Sequence, residues 1–208
     1  MVVDTLGFKV DGNNVIKVDD EVINKEEKVV YIINKPKNVI SSVKDEKDRT
    51  VVVDYVDTPY RIFPVGRLDF DSSGLLILTN DGELANMLLH PRYEVPKTYE
   101  VTINGFISVE QIKKLEGGIR VEDYTTGKCH IKQLKTNPNK ETTLLRMTIY
   151  EGHNRQIRKM FEKIGFKVIK LHRIAEANIK IGNLVAGEYR RLKPFEVQSL
   201  KRYLEQGE

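Results

Sequence analysis

The residue types that could do chemistry are concentrated between Gly66 and Gly82, in the run Gly-Arg-Leu-Asp-Phe-Asp-Ser-Ser-Gly-Leu-Leu-Ile-Leu-Thr-Asn-Asp-Gly. Arg67, Asp69 and Asp71 share its polar half. A carboxylate held in a polar loop can attack carbon as a nucleophile, take a proton as a general base, or stabilise developing positive charge. Gly-Arg-Leu-Asp alone is weak evidence, because a short match is equally an ordinary turn with a capping aspartate. Other chemistries lack their residues. The histidines at 90, 130, 153 and 172 show no metal-ligand spacing, and the single Cys129 completes no zinc site. There is no Gly-x-x-x-x-Gly-Lys phosphate loop and no dinucleotide fingerprint, and no serine is marked as a nucleophile.

Something must hold such a loop. Ile62 to Val65 reads as a strand entering it. Leu75-Leu76-Ile77-Leu78 leaves it as a continuous apolar run, which predicts a strand buried on both faces. Asn80, with Glu83 three residues on, is the expected cap of a helix over 83–90 that turns Leu84, Met87 and Leu88 inward and stops at Pro91. A loop clamped between two buried strands holds a carboxylate rigidly. Before it, Val29 to Ile33 reads as a strand running into Asn34-Lys35-Pro36-Lys37-Asn38, a turn with two lysines. After it, Lys97 to Ile103 alternates, with Tyr99, Val101 and Ile103 on one side. A helix capped by Ser108 and strands over 119–121, 128–134 and 142–150 follow. Ile157, Met160, Phe161 and Ile164 keep helical spacing, with Arg158 at the flank of the apolar stripe and Arg155 and Lys159 further round. Strands over 168–174 and 189–192 and a helix over 194–204 close the chain. Short turns between adjoining strands argue for an α+β fold with a mostly antiparallel sheet.

The seventeen-residue run resembles the signature of pseudouridine synthases of the RsuA family. Three further segments match that family in the same order: Lys97-Thr98-Tyr99 after His90-Pro91, Asn154-Arg155-Gln156-Ile157-Arg158, and Leu171-His172-Arg173. The resemblance covers about residues 28–205. It implies a pseudouridine synthase fold: a long bisected sheet of two half-domains with helices and a central RNA cleft. It also implies Asp69 as the catalytic aspartate, Arg158 as its ion-pair partner, Tyr99 in the active site and Leu171 beneath the target base. The expected RNA-binding residues are Arg67, Lys35, Lys37, Asn154, Arg155, Lys159 and Arg173, although Asn34 to Asn38 reads equally well as a solvated turn. Tyr99 could stack on the base or accept its carbon-5 proton through water. The sequence departs from the family pattern at Ser72-Ser73, where a threonine is usual, and at His153, where arginine or lysine is common.

The implied reaction moves a uracil from nitrogen to carbon on the same sugar, which demands no redox change, no cofactor and no metal. The implied partner is ribosomal RNA. Lys97 to Val101 and Asn154 to Arg158 look closer to the RluB-like branch, which acts on large-subunit (23S) RNA, than to the small-subunit (16S) branch. A protein that only binds RNA on the same fold is the competing class; intact Asp69, Tyr99 and Arg158 favour the enzyme. Residues 1–149 carry 21 Lys/Arg against 23 Asp/Glu, and residues 150–208 carry 13 against 7, so the basic charge sits where a polyanion would dock. Residues 1–27, with turns expected at Val10 to Asn14 and Val18 to Asp20, resemble the last strands of the family's alpha-L RNA-binding domain without its basic helices. They form the expected remnant of that domain, and 28–208 the catalytic domain. One cysteine and no apolar run of membrane-spanning length imply the cytoplasm, with no membrane attachment, and the chain is expected to be a monomer.

Overall fold

The structure, a computed structural model, describes residues 15–23 and 26–206. A first hairpin joins β1 (Ile16–Val18) to β2 (Glu21–Ile23). Its two-residue turn places Asp19 and Asp20 at positive φ, the left-handed pair that such a hairpin needs. The expected turn at Val10 to Asn14 lies outside the described residues.

The main body is a nine-stranded sheet. Its members are β3 (Val30–Lys35), β4 (Phe63–Pro64), β5 (Ser73–Thr79), β6 (Lys97–Asn104), β9 (His130–Asn137), β10 (Thr142–Ile149), β11 (Val168–Glu176), β12 (Ile179–Lys180) and β13 (Tyr189–Arg191). A small hairpin, β7 (Arg120–Val121) with β8 (Tyr124–Thr125), stands apart. The order along the main sheet is β13-β3-β5-β11-β6-β10-β9, with β4 beside β5 and β12 beside β11. Every pairing is antiparallel except β5 with β11.

That parallel contact is the seam of the sheet. It registers only His172 with Ser73 and Arg173 with Gly74. Gly74 has φ +114°, and a Cβ there would lie 2.2 Å from the Arg173 carbonyl oxygen. No other residue type lets the two backbones approach so closely.

The alternation of apolar residues explains how each half is covered. On β3 and β5, Ile33, Leu76 and Leu78 face one core while Val30, Ile32, Leu75 and Ile77 face another. Helices α1 (Gly82–Leu89) and α4 (Pro194–Glu205) close the second core through Leu84, Leu88, Leu200 and Leu204. The expected two-faced burial of residues 75–78 is therefore met. On β6 and β10 only alternate residues are buried: Tyr99, Val101 and Ile103, then Thr143, Leu145, Met147 and Ile149. Helices α2 (Val109–Glu116) and α3 (Gln156–Lys163) lie on this half, and Ile157, Met160 and Phe161 of α3 enter its core.

The cap of α1 differs from expectation. Asp81, not Asn80, accepts from the Leu84 N–H, and its nearly buried carboxylate also takes the ammonium groups of Lys28 and Lys201. Asn80 is occupied elsewhere, accepting from the Val29 N–H and donating to the Glu27 carbonyl. Cys129 is buried; its thiol donates to the Leu115 carbonyl, and burial pushes it up to about 12. No helix among the described residues is long and apolar enough to cross a membrane.

Candidate active site

The loop from Gly66 to Ser72 is fastened on both sides of Asp69. Before it, Leu68 is buried and tied to Ser41, whose hydroxyl donates to the Leu68 carbonyl and accepts from the Leu68 N–H. After it, the Phe70 carbonyl accepts from the Asn38 N–H at 2.7 Å, and the Ser72 N–H donates to the Asp69 carbonyl at 3.0 Å. The segment 38–41 that follows β3 is thus the brace of the loop. Asp69 itself stays accessible, with 28% of its side chain exposed, on the wall of a cleft of about 1370 Å³.

The brace corrects the reading of Lys35. It is not part of a surface turn but the last residue of β3, and it is fully buried. Its ammonium donates to the carbonyls of Pro36 and Val39, which shapes the bend leading to Asn38. Burial pulls it down to about 8, with the charges of Asp69 and Asp71 opposing. A group so enclosed cannot meet a phosphate. Lys37 is exposed but does not border the cleft.

The expected ion pair is also rearranged. Arg158 does not reach Asp69. It lies 3.2 Å from the Asp71 carboxylate and donates to the Asp71 carbonyl, the Ser72 hydroxyl and the Val168 carbonyl. Only 13% of its side chain is exposed, so it acts as a bracket between loop, α3 and β11. The charge facing Asp69 belongs to Arg155, whose Nη1 stands 3.8 Å from Asp69 while its two amino groups fork onto Asp71. The turn from Asp69 to Ser72 aims Asp71, not Asp69, at the helix. Burial pushes Asp71 up, but the hydrogen bonds of Arg155 and the charge of Arg158 outweigh it and hold the carboxyl below its usual value.

Across the seam, Tyr99 on β6 stands opposite Arg173 on β11. Tyr99 and Leu171 are buried and border the cleft. Burial pushes the phenol up, with Arg173 opposing. A phenol above its ordinary value stays protonated at neutral pH, so the expected role as proton acceptor is disfavoured and stacking remains. Arg173 corrects another expectation. It is not a surface cation but is buried with Glu176, the two ions facing each other at 3.1 Å, too obliquely for a hydrogen bond. Its Nε donates to the Leu75 carbonyl at 2.7 Å. Burial pulls the guanidinium down, but the charge of Glu176 leads the opposing effects that leave it raised. Arg67 and Asn154 are exposed on the cleft, whereas Lys159 faces Glu122 at 2.7 Å and does not border it.

Sequence reasoning missed Ser41, Glu176 and the brace at Asn38. Ser41 and Asn38 meet partners tens of residues away, and Glu176, though only three residues from Arg173, has no local pattern that marks it as buried. Among the described residues no cluster of His, Cys, Asp or Glu could hold a metal ion.

Asp69, on a loop anchored on both sides, thus lines one cleft with Tyr99 and Leu171. The family model for RNA pseudouridylate synthase matches residues 29–163. The chain belongs to this family. Members with similar sequence include ribosomal large subunit pseudouridine synthase B of Bacillus subtilis, 45% identical over 207 residues that cover 99% of this chain and 85% of that protein. The dual-specificity RNA pseudouridine synthase RluF of Escherichia coli is 35% identical over 204 residues, 97% of this chain and 68% of that one. Among solved structures, a pseudouridylate synthase superposes with a TM-score of 0.74 at 26% identity, over 95% of this chain and 85% of the other. The bisected, mostly antiparallel sheet is the pseudouridylate synthase fold.

Proposed function

We propose that this pseudouridine synthase isomerises a specific uridine in large-subunit (23S) ribosomal RNA, with Asp69 as the group that works on the sugar or the base. The observation that carries the reading is the Asp69 carboxylate, open to the cleft yet fixed through its neighbours' backbone to residues 38–41. The higher identity to the Bacillus large-subunit enzyme than to the dual-specificity one supports the choice of RNA.

The chemistry is balanced within the nucleotide. The bond from the sugar's anomeric carbon to ring nitrogen 1 breaks, the uracil turns, and a bond forms from the same carbon to ring carbon 5. A proton leaves carbon 5 and one arrives at nitrogen 1. Asp69 attacks the sugar carbon, or removes a proton and steadies the separated fragments, with the Arg155 guanidinium 3.8 Å away. Leu171 forms the floor beneath the uracil and Tyr99 stacks on it. Arg173, held by Glu176, fixes the tyrosine from behind. Arg67 and Asn154 hold the backbone of a nucleotide that has left its stack. The enzyme works as a monomer in the cytoplasm, with β1 and β2 as the end of an alpha-L RNA-binding domain. Among the described residues, that hairpin pairs only with itself, apart from the catalytic sheet.

Tritium release from ribosomal RNA labelled at carbon 5 of uridine tests the activity, and comparing pseudouridine maps of RNA from cells with and without the protein identifies the position. Tritium release without a lost pseudouridine in large-subunit RNA would move the substrate to another RNA. No release at all would leave a binding protein.

A further inference from the structure

The cleft has room for more than one nucleotide, since about 1370 Å³ exceeds the roughly 300–1,000 Å³ of a pocket for one drug-sized ligand. Part of its wall is made by Tyr150 to Asn154, between β10 and α3. This stretch puts a ring on each side of Glu151. The His153 ring lies over Tyr124, centroids 4.2 Å apart and planes inclined by 34°. Its Nε2 is 3.5 Å from Glu151, and its backbone N–H donates to the Gln156 side chain. Glu151 in turn accepts from the Gly127 N–H and from Gln156, so the ring is fixed from behind. Half of the His153 side chain is nevertheless open. Tyr150 is exposed as well, edge-on to His130 with centroids 6.2 Å apart. Lys128 lies exposed beside them on the same cleft.

We propose that this wall is a stacking site for the bases that flank the target uridine in a single-stranded RNA segment, with His153 and Tyr150 as its two platforms. The inference rests on the cleft receiving RNA. Pre-fixed rings with open faces, next to exposed cations, are what single strands are held by: every base has a π-face, and the cations follow the backbone. Withdrawing one uridine from its stack leaves its neighbours unstacked, and rings waiting at the cleft wall replace the lost partners.

The test uses the full chain and a ribo-oligonucleotide with 2-aminopurine placed in turn at each position around a single uridine. Quenching is expected at one or two positions next to the uridine. His153→Ala should weaken binding roughly tenfold, the effect of one stacked base, and abolish quenching at one position. Tyr150→Ala should abolish it at the other. His153→Phe should keep affinity and quenching, while His153→Lys should rescue neither. If His153→Lys binds as well as the unchanged chain and steepens the salt dependence, the contact is ionic and the stacking site is wrong. Absence of quenching at every position overturns it too. Intact tritium release with ring-independent binding would sink the stacking site alone. No tritium release with ring-dependent quenching would sink the isomerase reading and leave the stacking site standing.

Discussion

The two halves of the sheet contribute to one cleft by different means. In the half with β3 and β5, both faces are covered, and the working group sits on a loop. In the half with β6, β10 and β11, one face is covered, and the working groups sit on strands and at the start of a helix. Tyr99 and Leu171 need no brace, because strand alternation aims them into the core side of the cleft. Asp69 lies outside any ladder and needs its neighbours tied to Ser41 and Asn38. A reactive charge is thus held by backbone hydrogen bonds, and a stacking surface by packing.

The sharpest break in that comparison is chemical. Asp69→Asn should remove at least about a thousandfold of the tritium-release rate, within the range lost with a catalytic nucleophile or base, with an unchanged thermal midpoint. Tyr99→Phe should stay within about tenfold of the unchanged chain, because a phenol held above its ordinary value serves as a ring, not as a base. A Tyr99→Phe chain as dead as Asp69→Asn would restore the hydroxyl to the chemistry.

Next in size is the seam. Gly74→Ala adds a Cβ 2.2 Å from a backbone oxygen at φ +114°, and should cost about 3 kcal/mol or more in denaturant unfolding. Gly82→Ala, at the first turn of α1 with nothing within 4 Å of the added Cβ, is the matched control and should not destabilise. Equal losses would mean that the seam is not the constraint.

Lys35 gives an effect of similar size that depends on pH. Its folded value of about 8 lies below the unfolded 10.5, so the unfolded chain keeps the proton longer as pH rises. Stability should therefore gain, on the order of 3 kcal/mol, between pH 8 and about 10.5. Lys35→Met should lack this rise in urea titrations; parallel curves for the two proteins would place the ammonium in water. The smallest effect separates the cations. Arg67→Ala should flatten the slope of log affinity on log salt by about 0.7 per phosphate released. Lys159→Ala should leave it unchanged, and a change there would put RNA on the far side of α3.

What could be read from the chain was whatever repeats locally. Leu75 to Leu78 announced a doubly buried strand, and Ile157, Met160 and Phe161 announced the inner face of α3. Asp69 was visible because a long motif surrounds it. Choices between adjacent candidates were not visible. Asn80 and Asp81 are both good caps, and the choice fell to Asp81 because Lys28 and Lys201 converge on it from distant elements. Arg155 at the start of α3 and Arg158 on it were both candidates, and a turn of the facing loop brought both to Asp71 and only Arg155 near Asp69. Lys35 looked solvated because its sequence neighbours are polar, yet the carbonyls it satisfies are its own bend's.

The order of strands has a consequence for how the molecule is made. The half with Tyr99 is drawn from one unbroken stretch, β6 to β11, residues 97–176. The half with Asp69 pairs β3 with β13, and its second core is closed by α4, so it joins residues near 30 to residues near 190–205. During synthesis the stacking half can close on itself while the other still lacks its outer strand and covering helix. The carboxylate's half is therefore finished last, and the site comes together only after nearly all of the described chain has left the ribosome.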